Sequence, residues 1–306
     1  MRKKEEYFVK KALLSLEKGI LYMLFASFLF ALMGAFAKVL SDELPSIEIV
    51  FFRNIFGVFL IGMTIWKLPL VNHGGKPWLL FFRGFMGFTA LLAFFYNIAH
   101  ISLADAMTFS KTSPIFTALF AYLFLQEHLS KIAWLALLLG FVGIVFITGG
   151  GLSFTKYDWL GIFSGVGAAL AYTSVKELKK YYDTRAIVLS FMIVGSIGPI
   201  VLMLIAPLVD APTLDIFFAE FVMPSGWMWV EVMAMGSFAT LAQVYMTKAY
   251  GVSKAGVVGA VSYTNIPFSI IVGLFLGDDF PSMVVIMGIV FIVLSGLIVA
   301  KEKEAK

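Results

Sequence analysis

The chain has no cysteine, three histidines and a charged fraction of only 14% over 306 residues. Without cysteine there are no disulfides, thiolate nucleophiles or Cys-ligated metals. His73, His100 and His128 fall outside or at the ends of apolar segments, so no His-rich metal site is expected. No HExxH, phosphate-binding loop or nucleotide-binding glycine motif occurs, so this chain alone does not use ATP directly. Room for a soluble domain is missing too. The longest stretch between apolar segments is Pro207–Gly226, 20 residues.

What is present is apolar. Hydrophobic residues make up 60% of the chain and its mean hydropathy is +0.94. Ten stretches of 17 to 23 mostly apolar residues run from end to end, at 19–40, 47–66, 77–98, 103–125, 132–148, 159–175, 186–206, 227–249, 255–276 and 283–300. A bilayer core about 30 Å thick needs about 20 such residues at 1.5 Å each. The reading is an all-α integral membrane protein with ten transmembrane helices. Ala35-Phe36-Ala37 resembles a signal-peptide cleavage site, but the 22-residue apolar run before and around it is too long for one, so the segment is expected to stay. Trp66, Trp78, Trp134, Trp159, Trp227 and Trp229 stand at segment ends, as an aromatic belt does.

Charge placement gives an orientation. With both termini cytoplasmic, the inside segments carry eighteen Lys and Arg, and the outside connections hold only Lys38 and Lys156. This is the positive-inside pattern. The long outer loop 207–226 has Asp210, Asp215 and Glu220 and no base. The formal charge of +4 therefore reflects topology and not nucleic-acid binding.

The chain also repeats. Segments four and nine align without gaps at an offset of 151, Ser102-Leu-Ala-Asp-Ala with Ser253-Lys-Ala-Gly-Val and Phe124-Leu-Gln-Glu-His-Leu-Ser with Phe275-Leu-Gly-Asp-Asp-Phe-Pro. Gly19-Ile-Leu with Ala26 matches Gly161-Ile-Phe with Ala168. Five helices duplicated means copies of opposite orientation, and inverted repeats mark secondary transporters with a site at the repeat interface. The domains expected are a basic cytoplasmic tail 1–18, repeats 19–150 and 151–300, and a tail 301–306.

These features resemble a family. Two five-helix halves ending in FLQEHLS and FLGDDFP, with RGFMGFTALLAFFYNIAHISLADAMTFSKTSPIFTALF and QVYMTKAYGVSKAG, look like the EamA family of the drug/metabolite transporter superfamily. The resemblance covers 19–300 and implies transport of a small metabolite, with the substrate and the direction left open.

Polar residues at membrane depth are the candidate site. A charge at the bilayer centre costs about 2.5–3.5 kcal/mol and is usually functional. Lys111 lies near the middle of segment four, Arg53 within segment two and Arg83 within segment three, while every acid lies at a segment end. Uncompensated positive charge favours an anionic substrate. Ser110, Ser113 and Thr117 share a face with Lys111, and Pro114 removes a donor there. The offset maps Lys111 onto Ser262 and Pro114 onto Asn265, with Tyr263 and Pro267 beside them. Gln243 on segment eight and Tyr96 on segment three complete the set. The expected substrate-binding residues are Lys111, Arg53, Arg83, Tyr96, Ser113, Gln243, Ser262, Tyr263 and Asn265. For the lone Ser and Thr hydroxyls the competing reading is ordinary interhelical hydrogen bonding. The pairs Gly84/Gly87, Gly140/Gly143, Gly161/Gly165 and Gly256/Gly259 read as packing positions.

Enzyme patterns are weak. His100-x4-Asp105 has an acyltransferase spacing, but Ser102-Leu-Ala-Asp105 reads better as a helix cap. Intramembrane aspartyl chemistry needs two deep carboxylates, and the sequence places none. No enzyme, catalytic residue, cofactor or metal is expected. The expected partners are a small-molecule substrate and the lipid bilayer of a plasma (inner) membrane, without nucleic acid; a homodimer is left open. Export of amino acids or hydrophobic metabolites is the alternative transport reading, with the deep bases serving structure.

Overall fold

The computed structural model describes residues 2–71, 73–125, 131–147, 155–209, 214–253, 258 and 261–304. His128, Asp210, Lys254, Gly256 and Gly259 lie outside them, as do the side chains of Pro114, Lys176 and the bases at 2–11 and 301–306. Among the described residues the protein is all-helical. In order run α1 (Arg2–Leu40), α2 (Ser46–Lys67), α3 (Pro77–His100), α4 (Leu103–Ser110), α5 (Ser113–Leu125) and α6 (Lys131–Ile147). Then come α7 (Lys156–Leu178), α8 (Thr184–Ile205), α9 (Met228–Val252), α10 (Asn265–Phe275) and α11 (Met283–Glu304). A 3-10 turn, Ala206–Leu208, extends α8.

Four stretches are long and apolar enough to cross a membrane: Lys18–Leu40, Ser46–Lys67, Pro77–His100 and Thr184–Leu208. Trp134–Phe146, Asn265–Phe275 and Met283–Ser295 are shorter apolar helices. With backbone bonds closed inside each helix, such segments are the form in which a chain survives in hydrocarbon.

Segment four differs from its expected single run. It is two helices, α4 and α5, parted by a turn at Lys111-Thr112. The sequence supplies the cause. Pro114 sits at the second position of α5, where its missing N–H costs nothing but where a continuous helix would need it. The turn closes locally: the Lys111 N–H is shared by the Met107 and Thr108 carbonyls, and the Thr112 N–H donates to Phe109 O at 3.0 Å. The Thr112 hydroxyl donates to the same carbonyl at 2.7 Å. Segment nine is interrupted likewise, by a turn at Tyr263-Thr264 before α10. At the start of α4, Ser102 is the N-cap and accepts from the Asp105 N–H at 3.1 Å. A full capping box, Thr155 with Asp158, opens α7.

Glycines let α7 meet the break. A Cβ on Gly161 would stand 2.4 Å from the Phe109 ring, and one on Gly165 2.0 Å from the Thr112 hydroxyl. Gly84, Gly87, Gly140 and Gly143 are similarly confined, so these packing positions behave as expected. The main helix pairings are α1 with α9, α3 with α7, α2 with α8 and α6 with α11.

Candidate functional site

A cavity lies where α1, α2, α3, the α4–α5 break, α7, α8, α9 and α10 converge. Its apolar walls include Phe30, Met33, Leu91, Phe94 and Met107. Its polar lining is Arg53, Arg83, Ser110, Lys111, Ser164, Tyr172, Gln243 and Asn265. Three bases face the cavity and, among the described lining residues, no acid does.

Each base is held differently. Arg53, 1% exposed, donates to the Asn54 side-chain oxygen Oδ1 at 2.7 Å and to the Gln243 side-chain oxygen Oε1 at 3.5 Å. Asn54 is itself pinned, donating to Val50 O at 2.8 Å and across to Gly195 O on α8 at 3.1 Å. Arg83, also 1% exposed, shares one aromatic ring with Arg53. The two guanidinium carbons lie 4.9 Å (Arg53) and 4.6 Å (Arg83) from the Phe191 centroid. Cation–π contact stabilises each by about 0.5–2 kcal/mol, against a mutual repulsion that the ring does not remove. The Nε atoms of both arginines are buried and bonded to nothing among the described residues. Lys111 stands at the turn between α4 and α5, and its ammonium lies 5.9 Å from the Phe30 ring centroid. No hydrogen bond or ion pair joins the Lys111 ammonium or the Arg83 guanidinium to a described residue. Asn265 donates to Ser27 O at 2.8 Å, and its side-chain oxygen is buried and unbonded among the described residues.

The chain carries this arrangement on a known frame. The EamA-like transporter family model matches residues 17–149. An uncharacterized transporter of Helicobacter pylori is 33% identical over 92% of this chain and 94% of its own. This chain belongs to the EamA-like transporter family. The pseudopaline exporter CntI of Pseudomonas aeruginosa is 32% identical over 94% of this chain and 98% of its own length. A solved crystal structure at 17% identity covers 96% of this chain and 99% of its own with a TM-score of 0.60, a likeness of fold alone. The chain is thus an integral membrane protein of a transporter family, within the drug/metabolite transporters.

Of the nine residues expected at the site, this EamA-family chain gathers five around one cavity: Lys111, Arg53, Arg83, Gln243 and Asn265. The other four are not among the lining residues, for distinct reasons. Tyr96 is two residues past the wall residue Phe94 on α3, about 200° round the helix from it at 100° per residue. There it accepts from the Lys156 ammonium at 2.7 Å and donates to Asp215, tying α3 to the start of α7. Ser113 opens α5 past the turn and is buried; its carbonyl accepts from Thr117. Ser262 is buried just before the α10 turn. Tyr263 packs its ring with Phe109, Ile115 and Ile266.

The sequence reading missed Asn54, Phe191, Tyr172 and Ser164. Asn54 had a signal, an amide next to a deep arginine. Phe191 had none, being one of 32 phenylalanines.

Proposed function

We propose that this EamA-family protein is a secondary transporter of a small anionic organic solute. It moves the solute by alternating access across the plasma (inner) membrane, with both termini cytoplasmic. The observation that carries the reading is the cavity with Arg53, Arg83 and Lys111 in its wall and no described acid beside them. Buried charge without a counter-ion is costly, and a ligand carboxylate or phosphate supplies the missing partner. Arg53 and Arg83 offer forked donors on one ring, and Lys111 a point charge in the lining of the same cavity. Gln243 and Asn265 would order the remainder of the solute through amide hydrogen bonds.

The architecture proposed is ten spans in two inverted five-helix repeats, 19–150 and 151–300. Helix pairings support it. Exchanging the halves turns α1–α9 into α7–α3, α2–α9 into α8–α3 and α1–α10 into α7–α5, and each of these contacts is present. The pairs α2–α8 and α6–α11 map onto themselves. The breaks at Lys111-Thr112 and Tyr263-Thr264 fall at related places, as interrupted helices do in transporters of inverted repeats.

A thermal-shift screen tests the charge preference. Carboxylates and phosphates should raise the melting temperature of the purified protein more than neutral or cationic analogues of equal size. Equal stabilisation by cations would oppose the reading. A second transport reading, export of amino acids or hydrophobic metabolites, is favoured by the apolar walls of the cavity and by the exporter name of the Pseudomonas relative. On that reading the three bases are structural, and apolar neutral solutes stabilise best.

A further inference from the structure

A second hollow lies between α2, the start of α8 and α9. It is separate from the central cavity. Beside the hollow, Met192 and Thr240 press on Gly57 so closely that a Cβ there would stand 2.5 Å from the Met192 sulfur and 3.1 Å from the Thr240 hydroxyl. The walls are apolar: Leu60, Ile61 and Met63 from α2, Leu241 and Val244 from α9. Met63 is 40% and Leu241 47% exposed, although both lie within apolar spans. These side chains therefore meet whatever fills the groove at membrane depth.

One end of the groove is basic. Lys67 ends α2, and Lys248 stands one turn past Val244 on α9, so both lysines line the same end, the Lys248 ammonium 5.3 Å from the Tyr245 ring centroid. Both are exposed, and neither forms an ion pair with a described residue. The other charged lining residues neutralise each other: Arg185 pairs with Asp183 at 3.1 Å and spends a further donor on Leu68 O at 2.6 Å. The end thus keeps Lys67 and Lys248 outside any described ion pair, with Lys179 nearby donating to the Thr184 hydroxyl at 2.6 Å. From Leu60 to Lys67 the wall runs about 10 Å. That depth accepts the upper part of an acyl chain while a phosphate sits between the lysines.

We propose that this groove binds an anionic phospholipid of the leaflet at that end, its phosphate between Lys67 and Lys248 and one acyl chain along Leu60 and Leu241. Basic pockets between membrane helices recognise lipid headgroups in this way. A soluble anion would meet the lysines but leave the apolar walls bare. The proposal does not depend on what the central cavity carries.

The test is native mass spectrometry of the full-length protein in detergent with phosphatidylglycerol and, separately, phosphatidylcholine of the same chains. The wild type should retain phosphatidylglycerol preferentially. The Lys67→Gln/Lys248→Gln variant should lose most of that preference, roughly tenfold in retention. A pair of the same charge change elsewhere, Lys18→Gln/Lys131→Gln, should keep it. Leu241→Trp, which fills the groove and leaves both lysines, should also cut retention. Equal retention of the two lipids by the wild type overturns the proposal. So does a preference that survives Lys67→Gln/Lys248→Gln or Leu241→Trp, or one lost equally in the control pair.

Discussion

Lys111 sets the clearest residue-scale expectation. It is buried at the turn between two helices, with no described ion partner. If it holds the charge of the solute, Lys111→Gln should weaken binding of an anionic ligand by tenfold or more, about 1.4 kcal/mol or above. The same change removes a costly buried charge, so the melting temperature should hold or rise. Unchanged affinity with a raised melting temperature would take Lys111 out of the site. Asn54 acts one step back. It fixes Arg53 at 2.7 Å and bonds Gly195 O across to α8. Asn54→Ala should cost about 1–3 kcal/mol of stability through the acceptor and donor it leaves unpaired. It should also lower anion affinity less than Arg53→Gln does, which titration of both variants with one ligand measures. The deep bases were legible in the sequence because charge in an apolar run is rare. Their arrangement around Phe191 was not, since a shared ring depends on how α2, α3 and α8 cross.

At the scale of elements, the break in segment four organises the site. Pro114 signalled a disturbance, and the structure makes of it a complete turn that faces Lys111 inward. The apolar period alone read 103–125 as one run, because composition changes little across the turn. Ser113, Ser262 and Tyr263 are expected at the site from polar, proline-disturbed faces, and none of the three is among the lining residues of the cavity. Tyr96 stands on the same helix as the lining residue Phe94 but on another side of it, tied to Lys156 and Asp215. The break in turn needs the close approach of α7. Gly165→Ala puts a methyl 2.0 Å from the Thr112 hydroxyl and should destabilise by about 1–3 kcal/mol. Gly62→Ala, with nothing within 4 Å, should change the melting temperature little. A second tie lies beyond the apolar segment 159–175. Hydrogen bonds from Lys180 and Lys76 hold the Glu177 carboxyl down at about 2, from an ordinary 4.5. A depressed carboxylate contributes stability above its unfolded pKa and loses it as pH falls toward the folded one. The stability difference between wild type and Glu177→Gln should therefore be full above pH about 4.5 and shrink as pH falls from there toward 2. A difference that grows on acidification would contradict this tie.

Over the whole molecule, apolar run length made the membrane class readable from the sequence, because it follows from the bilayer as solvent. The packing of α6 on α11 and α1 on α9 was not readable, since it joins residues far apart in the chain. The orientation proposed has a direct check in a protein without cysteine. Ser225→Cys, exposed in the loop before α9, should react with an impermeant maleimide added to the outside of intact cells. Labelling only after the inner side is opened would contradict the proposed orientation. The central claim, transport of an anion through the three-base cavity, is tested most directly by flux. The purified protein in liposomes should pass the anionic solute that stabilises it best, chemically unchanged. Other carboxylates or phosphates should compete, cations should not, and Arg53→Gln or Lys111→Gln should slow the flux at least tenfold. Equal competition by cations, undiminished flux in both variants, or a chemically altered product would contradict the account.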